Sequence, residues 1–490
     1  MAHIYFEKNI RPFTAVCHND FGRKVIYTDK QAITETNIVS ELNSALSVHR
    51  QNAIEIDYLD RYYRGDQPII YRQKKNRPEI NNRVVVNIAK FVVDSNSANL
   101  TSEPIQFVLK GHDEKKAEEL ATLNEYFEEE DKNCDDGELS RWRSICGTAY
   151  RYVGKGKSQK LFARAPFYLD VPDPRKNFVC YYTLKKPAFS CTITQDEEDG
   201  RDIYWVYTQS QFFKIKDSKI IGKEANGNGE IPLVEYPNNS RRLSDIEVTI
   251  LVTDEINKLT SDRSNGIEQF VQAFVKFVNC DIDIDKFREL REEGFFSVTT
   301  NNGAENKSDV DIMGQELDQS QAQVAVDDLF AKVLMIQFIA NREGNTGGDT
   351  GSAVELRNGH TAQEQKAQSD EPIFVKSEKA MLRLVLNRMR IAEKCTLEPK
   401  DIQVKITRSK NSNMLTKAET LKLLLDMGID PPTAIKVVDL FSDPEQVATL
   451  SVERINELFK QATEPKNAVG EESVDQEEVK QKENQTQAVK

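Results

Sequence analysis

The strongest constraint on the fold is the stretch from Ser244 to Cys280. It opens with "SDIE", Ser244 to Glu247, a capping box in which the serine oxygen accepts a free helix N–H and the glutamate reaches back to the serine. Ile267, Phe270, Val271, Phe274 and Val278 then recur at helical spacing as one apolar face. A single helix over 243–280 would span roughly 55 Å at about 1.5 Å per residue. A rod of that length needs partners along its side. Residues 321–340 form a second helical pattern, with Val326, Leu329, Val333 and Ile336 on its apolar face. Between the two lies a non-periodic stretch, 281–320, with four basic and eleven acidic residues and Asn-Gly turn signals. The pattern predicts two antiparallel helices carrying a small acidic tip.

Upstream, Ile38, Leu42, Leu46, Ile56, Leu59 and Tyr63 predict a helix that starts near Thr34 and stops at Gly65. Val85, Ile88 and Val92 predict another ending near Asn99, and "PIQFVLK" alternates like a strand after Pro104. Residues 113–145 read as charged helix. From "CGTAYRYVGKG" to about Tyr236 the chain is strand-rich, with "GKEANGNGEIPL" supplying Asn-Gly chemistry for a hairpin. Downstream, a second capping box, Ser352 to Glu355, starts a helix toward Lys394. Pro372 inside it removes a donor and is expected to kink or break it. "DIQVKITRS" reads as a strand, and short helices around Gly428, Pro431, Pro432 and Pro444 follow. Residues 461–490 contain no Leu, Ile, Met or aromatic residue, so that tail cannot bury a core and is expected to be disordered.

Composition narrows the function. The chain of 490 residues carries 66 basic and 79 acidic side chains, a net charge of −13. Tight DNA binding draws on a basic footprint, which this chain lacks overall. No run of about 18 apolar residues predicts a membrane span, and "MAHIYFEKNIRPF" has no signal-peptide pattern. Seven scattered cysteines, none in C-x-x-C, read as reduced thiols.

The glycine-rich stretch "GNTGGDTGSAVELR", 344–357, is the obvious candidate for phosphate binding. It lacks the lysine and spacing of a P-loop, and a helix rather than a strand precedes it, which excludes the dinucleotide fingerprint. A connector between helices, or a loop whose placement matters, remains. Asp281, Asp283 and Asp285 alternate, but the glycine and late glutamate of a calcium loop are missing, so a solvated face is the reading. His3, His18, His49, His112 and His360 are isolated, and Ser144 and Ser297 lack a nucleophile-elbow setting. No catalytic residues, cofactor or metal site are expected. Tyr58, Tyr62 and Tyr63 read as core, and Arg241-Arg242 as solvated.

Six stretches in order resemble the portal proteins of tailed bacteriophages with long non-contractile tails: "YLDRYYRGDQPIIYR", "NNRVVVNIAKFVVDSNSANLTSEPIQF", "CGTAYRYV", "GEIPLVEYPNNSRRLSDIEVTILVTDEINKLTSDRSNGIEQFVQA", "TGSAVELR" and "RSKNSNMLTKAETLKLLLDMGIDPPTAIKVVDLFSDPEQ". The resemblance spans roughly 55–460. It implies an α+β, mainly helical portal fold: an N-terminal arm (1–34), a wing (35–242), stem helices (243–280 and 321–340) and a small α/β clip (281–320). A tunnel loop (341–352), a kinked helix with a returning wing strand (353–410), a helical crown (411–462) and the tail (463–490) would follow. It implies a homo-oligomeric ring, usually of twelve subunits, at one capsid vertex of the virion, assembled in the bacterial host cytoplasm. Double-stranded DNA would enter and leave along the axis, weakly bound. Arg342, Gly344, Asn345, Gly347, Gly348, Asp349, Gly351 and Arg357 would line the channel at the tunnel loop. Arg288, Arg291, Phe295 and Phe296 of the clip would dock the terminase large subunit and later the head–tail adaptor protein. Scaffolding and major capsid proteins complete the expected partners, with no membrane and no cofactor. The alternatives are a carboxylate- and metal-dependent nucleic-acid-processing enzyme, or a helical adaptor without a channel.

Overall fold

The computed structural model describes residues 21–75, 78–111, 113–156, 164–227, 229–271, 274–278, 309–313, 319–339, 360–393, 395–406, 414–438, 447 and 451. The chain divides into two units, 1–410 and 411–490.

In the first unit, helix α1 (Ile38–Tyr63) buries Ile38, Leu42, Leu46, Ile56, Leu59 and Tyr62 along one stripe. Its first half covers a six-stranded sheet, and its second half packs with Ala89, Val93, Ile145, Cys146, Ile246 and Ile250 in a separate small cluster. The sheet has the order β1-β5-β6-β7-β8-β9, built from β1 (Ile26–Thr28), β5 (Asn177–Tyr182), β6 (Pro187–Gln195), β7 (Asp202–Thr208), β8 (Gln211–Lys216) and β9 (Lys219–Ala225). Strand β1 runs parallel to β5 and the rest form an antiparallel meander. Phe178, Phe189, Val206 and Phe213 meet Ile38, Leu42 and Leu46 in its core. The tightest hairpin, β8 to β9, turns on Asp217 and Ser218, both with positive φ, the type I′ geometry that matches strand twist. The predicted Asn-Gly hairpin is not one. β9 is the sheet edge, and the chain then passes to β10 (Leu233–Pro237) in another sheet, of order β10-β3-β4, with β3 at Thr148–Lys155 and β4 at Phe167–Asp170. Asn226 closes that bend by donating through Nδ2 to the Thr208 and Glu230 carbonyls, each at 2.8 Å.

The second core collects α2 (Ile88–Thr101), α3 (Glu114–Glu129), α4 (Lys132–Cys146), β3 (Thr148–Lys155), β4 (Phe167–Asp170) and β10. The charged 113–145 region is thus two helices, parted at Asp131 in the left-handed region (φ 51°). Gly147 ends α4 at φ 80°, and a Cβ there would lie 2.0 Å from the Arg242 carbonyl. Only glycine allows that approach. Strand β2 (Gln106–Leu109) pairs antiparallel with β13 (Ile402–Lys405), joining the last strand of the unit to its first third.

Helix α5 (Ile250–Val271) has 22 residues, roughly 33 Å. The expected single helix over 243–280 is therefore too long at both ends. Residues Phe274–Val278 form strand β11, paired antiparallel with β12 (Asp309–Met313). "FVKFV" is aromatic and β-branched, which suits a pleated ladder better than a helix. Helix α6 (Gln319–Gln337) returns beside α5. Ile256, Val333, Leu334 and Ile339 pack with Ile88 and Val92 of α2. Helix α7 (His360–Glu393) runs 34 residues and continues through Pro372 without breaking. Its Phe374, Met381, Leu382, Val385 and Met389 enter the second core.

The second unit shows α8 (Met414–Asp426) and α9 (Pro431–Val438). Gly428 (φ 81°) closes α8, with Ile429 N–H donating to the Leu424 carbonyl at 3.1 Å, the bond of a Schellman cap. Asp430 caps α9 by accepting from Thr433 N–H at 3.3 Å, with proline at the first helical position. The expected C-terminal tail lies outside the described residues.

Candidate functional site at the base of the glycine loop

The capping box forms as the spacing predicts. Ile246 N–H donates to Ser244 Oγ at 3.0 Å, and Ser244 N–H donates to Glu247 Oε2 at 2.8 Å. It caps a turn, and the α-helix proper begins at Ile250. Asp245, inside the box, is the hub. Its carboxylate accepts from Ser144 Oγ at 2.6 Å and from Asn238 Nδ2 at 2.9 Å, and its N–H donates to the Ser144 carbonyl at 3.0 Å. Arg143 Nε holds Asn238 Oδ1 at 3.1 Å.

Both flanks of the glycine loop reach this hub. Gln337, the last residue of α6, is buried and donates through Nε2 to the Asp245 carbonyl at 2.6 Å. Lys366, in the second turn of α7, lies 4.0 Å from Asp245 Oδ1 and 3.1 Å from Asp370. Phe338 takes a left-handed φ of 58°, and Ile339 N–H donates back to the Leu334 carbonyl at 2.9 Å. That cap stops α6 abruptly. A bulky residue in the left-handed region stores about 1–2 kcal/mol, here at the mouth of the loop.

Helix α5 has a polar inner face that the sequence pattern did not reveal. Asn257, Ser261 and Asn265 are buried at intervals of four and accept from the backbone N–H groups of Val86, Val84 and Asn82 at 2.7, 2.9 and 2.6 Å. Four helical residues rise about 6 Å and two extended ones about 6.8 Å, so the rungs match. The helix stands in for a sheet partner and satisfies backbone that would otherwise be buried unpaired. One turn earlier, Tyr62 donates to Asp254 Oδ1 at 2.8 Å. Burial pushes the Asp254 carboxyl up to about 6, and the Tyr62 bond only partly offsets it.

Helix α7 is held to the body by a buried charge cluster. Glu378 accepts from Tyr236 at 2.7 Å and Arg151 at 3.2 Å, and pairs with Lys132 at 3.0 Å. Asp136 takes Arg151 at 2.5 Å and Lys132 at 2.8 Å. Every member is at most 4% exposed. Burial alone would raise the Asp136 carboxyl; Lys132 and Arg151 overturn that and hold it below its ordinary value. Burial and Glu378 raise the Tyr236 hydroxyl.

The sequence candidates fall elsewhere. Arg342, Gly344, Asn345, Gly347, Gly348, Asp349, Gly351 and Arg357 all lie outside the described residues. So do Arg288, Arg291, Phe295 and Phe296, the alternating aspartates at 281–285 and the second capping box. Tyr58 and Tyr62 are core, as read. Arg242 is not solvated: it lies against Glu235 with Nε at 2.5 Å, while Arg241 is exposed. His49 is buried with Nε2 2.9 Å from the Arg175 carbonyl, a satisfied core histidine whose imidazole burial pulls down to about 4. Ser144 serves Asp245 rather than chemistry. Of the hub residues, only Asp245 had a sequence signal, as part of the capping box. Among the described residues no group of His, Cys, Asp and Glu is arranged to hold a metal ion, and no helix is long and apolar enough to cross a membrane.

No curated protein matches the sequence. Solved structures that align with it include the neck of an empty GTA particle computed with C6 symmetry (TM-score 0.42, 9% identity), the virion of a native gene transfer agent particle and the neck of a native GTA particle computed with C12 symmetry (both TM-score 0.40, 10% identity). Each alignment covers 72% of this chain and 90% of that one. Likenesses this distant say nothing of how this chain assembles. The family model "Phage portal protein, SPP1 Gp6-like" matches residues 44–467. That span takes in α1 from Ser44 onward, most of the first core, the second core, the α5–α6 pair, α7 and the helices of the second unit, and the chain belongs to this phage portal protein family.

Proposed function

We propose that identical copies of this chain stand in a ring at the capsid vertex, and that the ring is the channel through which double-stranded DNA is packaged and ejected. The single observation that favours it is the outward side of α6. Val324, Ala331 and Met335 share one face at helical spacing and are exposed, Val324 by 67% and Met335 by 71%. Asp328 on the same face is paired with Lys332 at 2.6 Å. Leu251 at the start of α5 is 64% exposed. A soluble chain rarely leaves such a stripe to water, and a neighbouring copy would cover it.

In this reading α5 and α6 are the stem. β11, β12 and the residues between them are the clip, where Arg288, Arg291, Phe295 and Phe296 dock terminase and then the head–tail adaptor. Residues 341–352, with Arg342, Gly344, Asn345, Gly347, Gly348, Asp349 and Gly351, face the moving duplex, and Arg357 follows on the kinked helix. A net charge of −13 per copy repels the DNA polyanion, which suits passage over retention. The Asp245 hub gives the loop a fixed base from which to act.

Deleting 344–351 leaves ring assembly intact and lowers the yield of DNA-filled heads. A normal yield from that deletion would remove the loop from the mechanism. Mg²⁺-dependent nuclease or ATPase turnover by the purified chain would favour the enzymatic alternative instead.

A further inference from the structure

Beside the hub lies a polar cavity of about 30 Å³, lined by Asn96, Ser97, Ser140, Arg143, Lys366 and Asp370 among others. That volume holds one chloride-sized ion or about two waters. Its wall has an unusual imbalance. Arg143 is only 6% exposed, and among the described residues its Nη1 has no hydrogen-bond partner. Asn96 Nδ2 and Ser97 Oγ are also buried without partners. All three can donate a hydrogen bond. The carboxylates in the wall are already committed: Asp245 to Ser144 and Asn238, and Asp370 to Lys366. Among the described residues no carboxylate hydrogen-bonds the Arg143 guanidinium, which lies 5.3 Å from the Phe374 ring centroid. Asp245 and Asp370 offset the Arg143 charge through space, but buried donors left without an acceptor are costly, and an acceptor-only ligand meets them without bringing donors of its own.

We propose that this cavity binds a small monovalent anion of chloride size, accepted by Arg143 Nη1, Asn96 Nδ2 and Ser97 Oγ with Lys366 nearby. The ion joins α2, α4 and the second turn of α7, so it pins the base of the glycine loop. Two waters in place of the ion would satisfy the donors without any dependence on chloride.

The test is thermal unfolding of the full chain at constant ionic strength, with chloride exchanged stepwise for gluconate, which is too large to enter. Binding to the folded state makes the midpoint rise with the logarithm of chloride concentration, by a few degrees across the range. Asn96→Asp places a carboxylate beside the guanidinium. It is expected to fold, to match or exceed the parent in gluconate, and to lose the chloride dependence. Arg143→Met is expected to lose it as well, and if that variant does not fold, Asn96→Asp decides. Equal midpoints of the parent chain in chloride and gluconate, or an undiminished chloride response in Asn96→Asp, would overturn the proposal.

Discussion

Two buried junctions hold the first unit together, and they are built on opposite principles. Under α1, the six-stranded sheet packs Phe178, Phe189, Val206 and Phe213 against Ile38, Leu42 and Leu46, all at most 4% exposed. Under α7, an equally dry place holds Lys132, Asp136, Arg151 and Glu378, two charges of each sign. The apolar junction gains from area removed from water and tolerates any packing of similar volume. The charged one gains little net stability, but it accepts α7 in one register, because any other would strand a charge. For a helix that follows the proposed tunnel loop, that register is what matters.

Removing one member of the cluster gives the largest expected effect. Glu378→Ala leaves Arg151 and Lys132 short of a counter-charge and costs about 3–5 kcal/mol in denaturant unfolding. Leu42→Met, a swap of similar volume in the apolar junction, costs below about 1.5 kcal/mol. Equal losses from the two would erase the distinction between the junctions.

Asp254 is the intermediate case, a half-buried carboxyl with a Tyr62 hydroxyl in place of a cation. Its folded pKa of about 6 lies above the ordinary carboxylate value of 3.8. The folded state therefore holds the proton more tightly, and the group's contribution is most favourable below pH 4 and is lost as pH rises through 6. Asp254→Asn keeps an acceptor for Tyr62 without the charge. It raises the unfolding midpoint at pH 8, and the advantage shrinks below pH 6 and vanishes near pH 4. A pH-independent difference would mean that Asp254 is not desolvated.

The smallest effect is at the loop mouth. Phe338→Gly relieves the left-handed backbone at the end of α6 and raises stability in denaturant unfolding by up to about 1 kcal/mol; no gain would mean that the turn stores no strain.

The contrast also explains what could be read from the chain. The stripe on α1, the strand-rich middle and the returning α6 follow from apolar periodicity, which area-driven packing writes directly into the sequence. The capping box at Ser244 was legible because it is local. The stop of α5 at Val271 was not, since Phe274 and Val278 continue the helical spacing and only their pairing with Met313 and Asp309 makes a strand. The Asn257–Ser261–Asn265 ladder and the cluster at Glu378 were invisible for a similar reason. A polar residue looks alike in sequence whether it meets water or a partner more than a hundred residues away. The channel and clip candidates rest on resemblance to the family, and they lie outside the described residues.

The central claim is that copies of this chain close around an axis. Electron microscopy of the purified full-length protein, with native mass measured on the same sample, tests it most directly. The account predicts annular particles of identical subunits, with the exposed face of α6 buried between neighbours and a hole wide enough for a duplex. Single compact particles at every concentration, and no annulus at the vertex of phage heads, would contradict it.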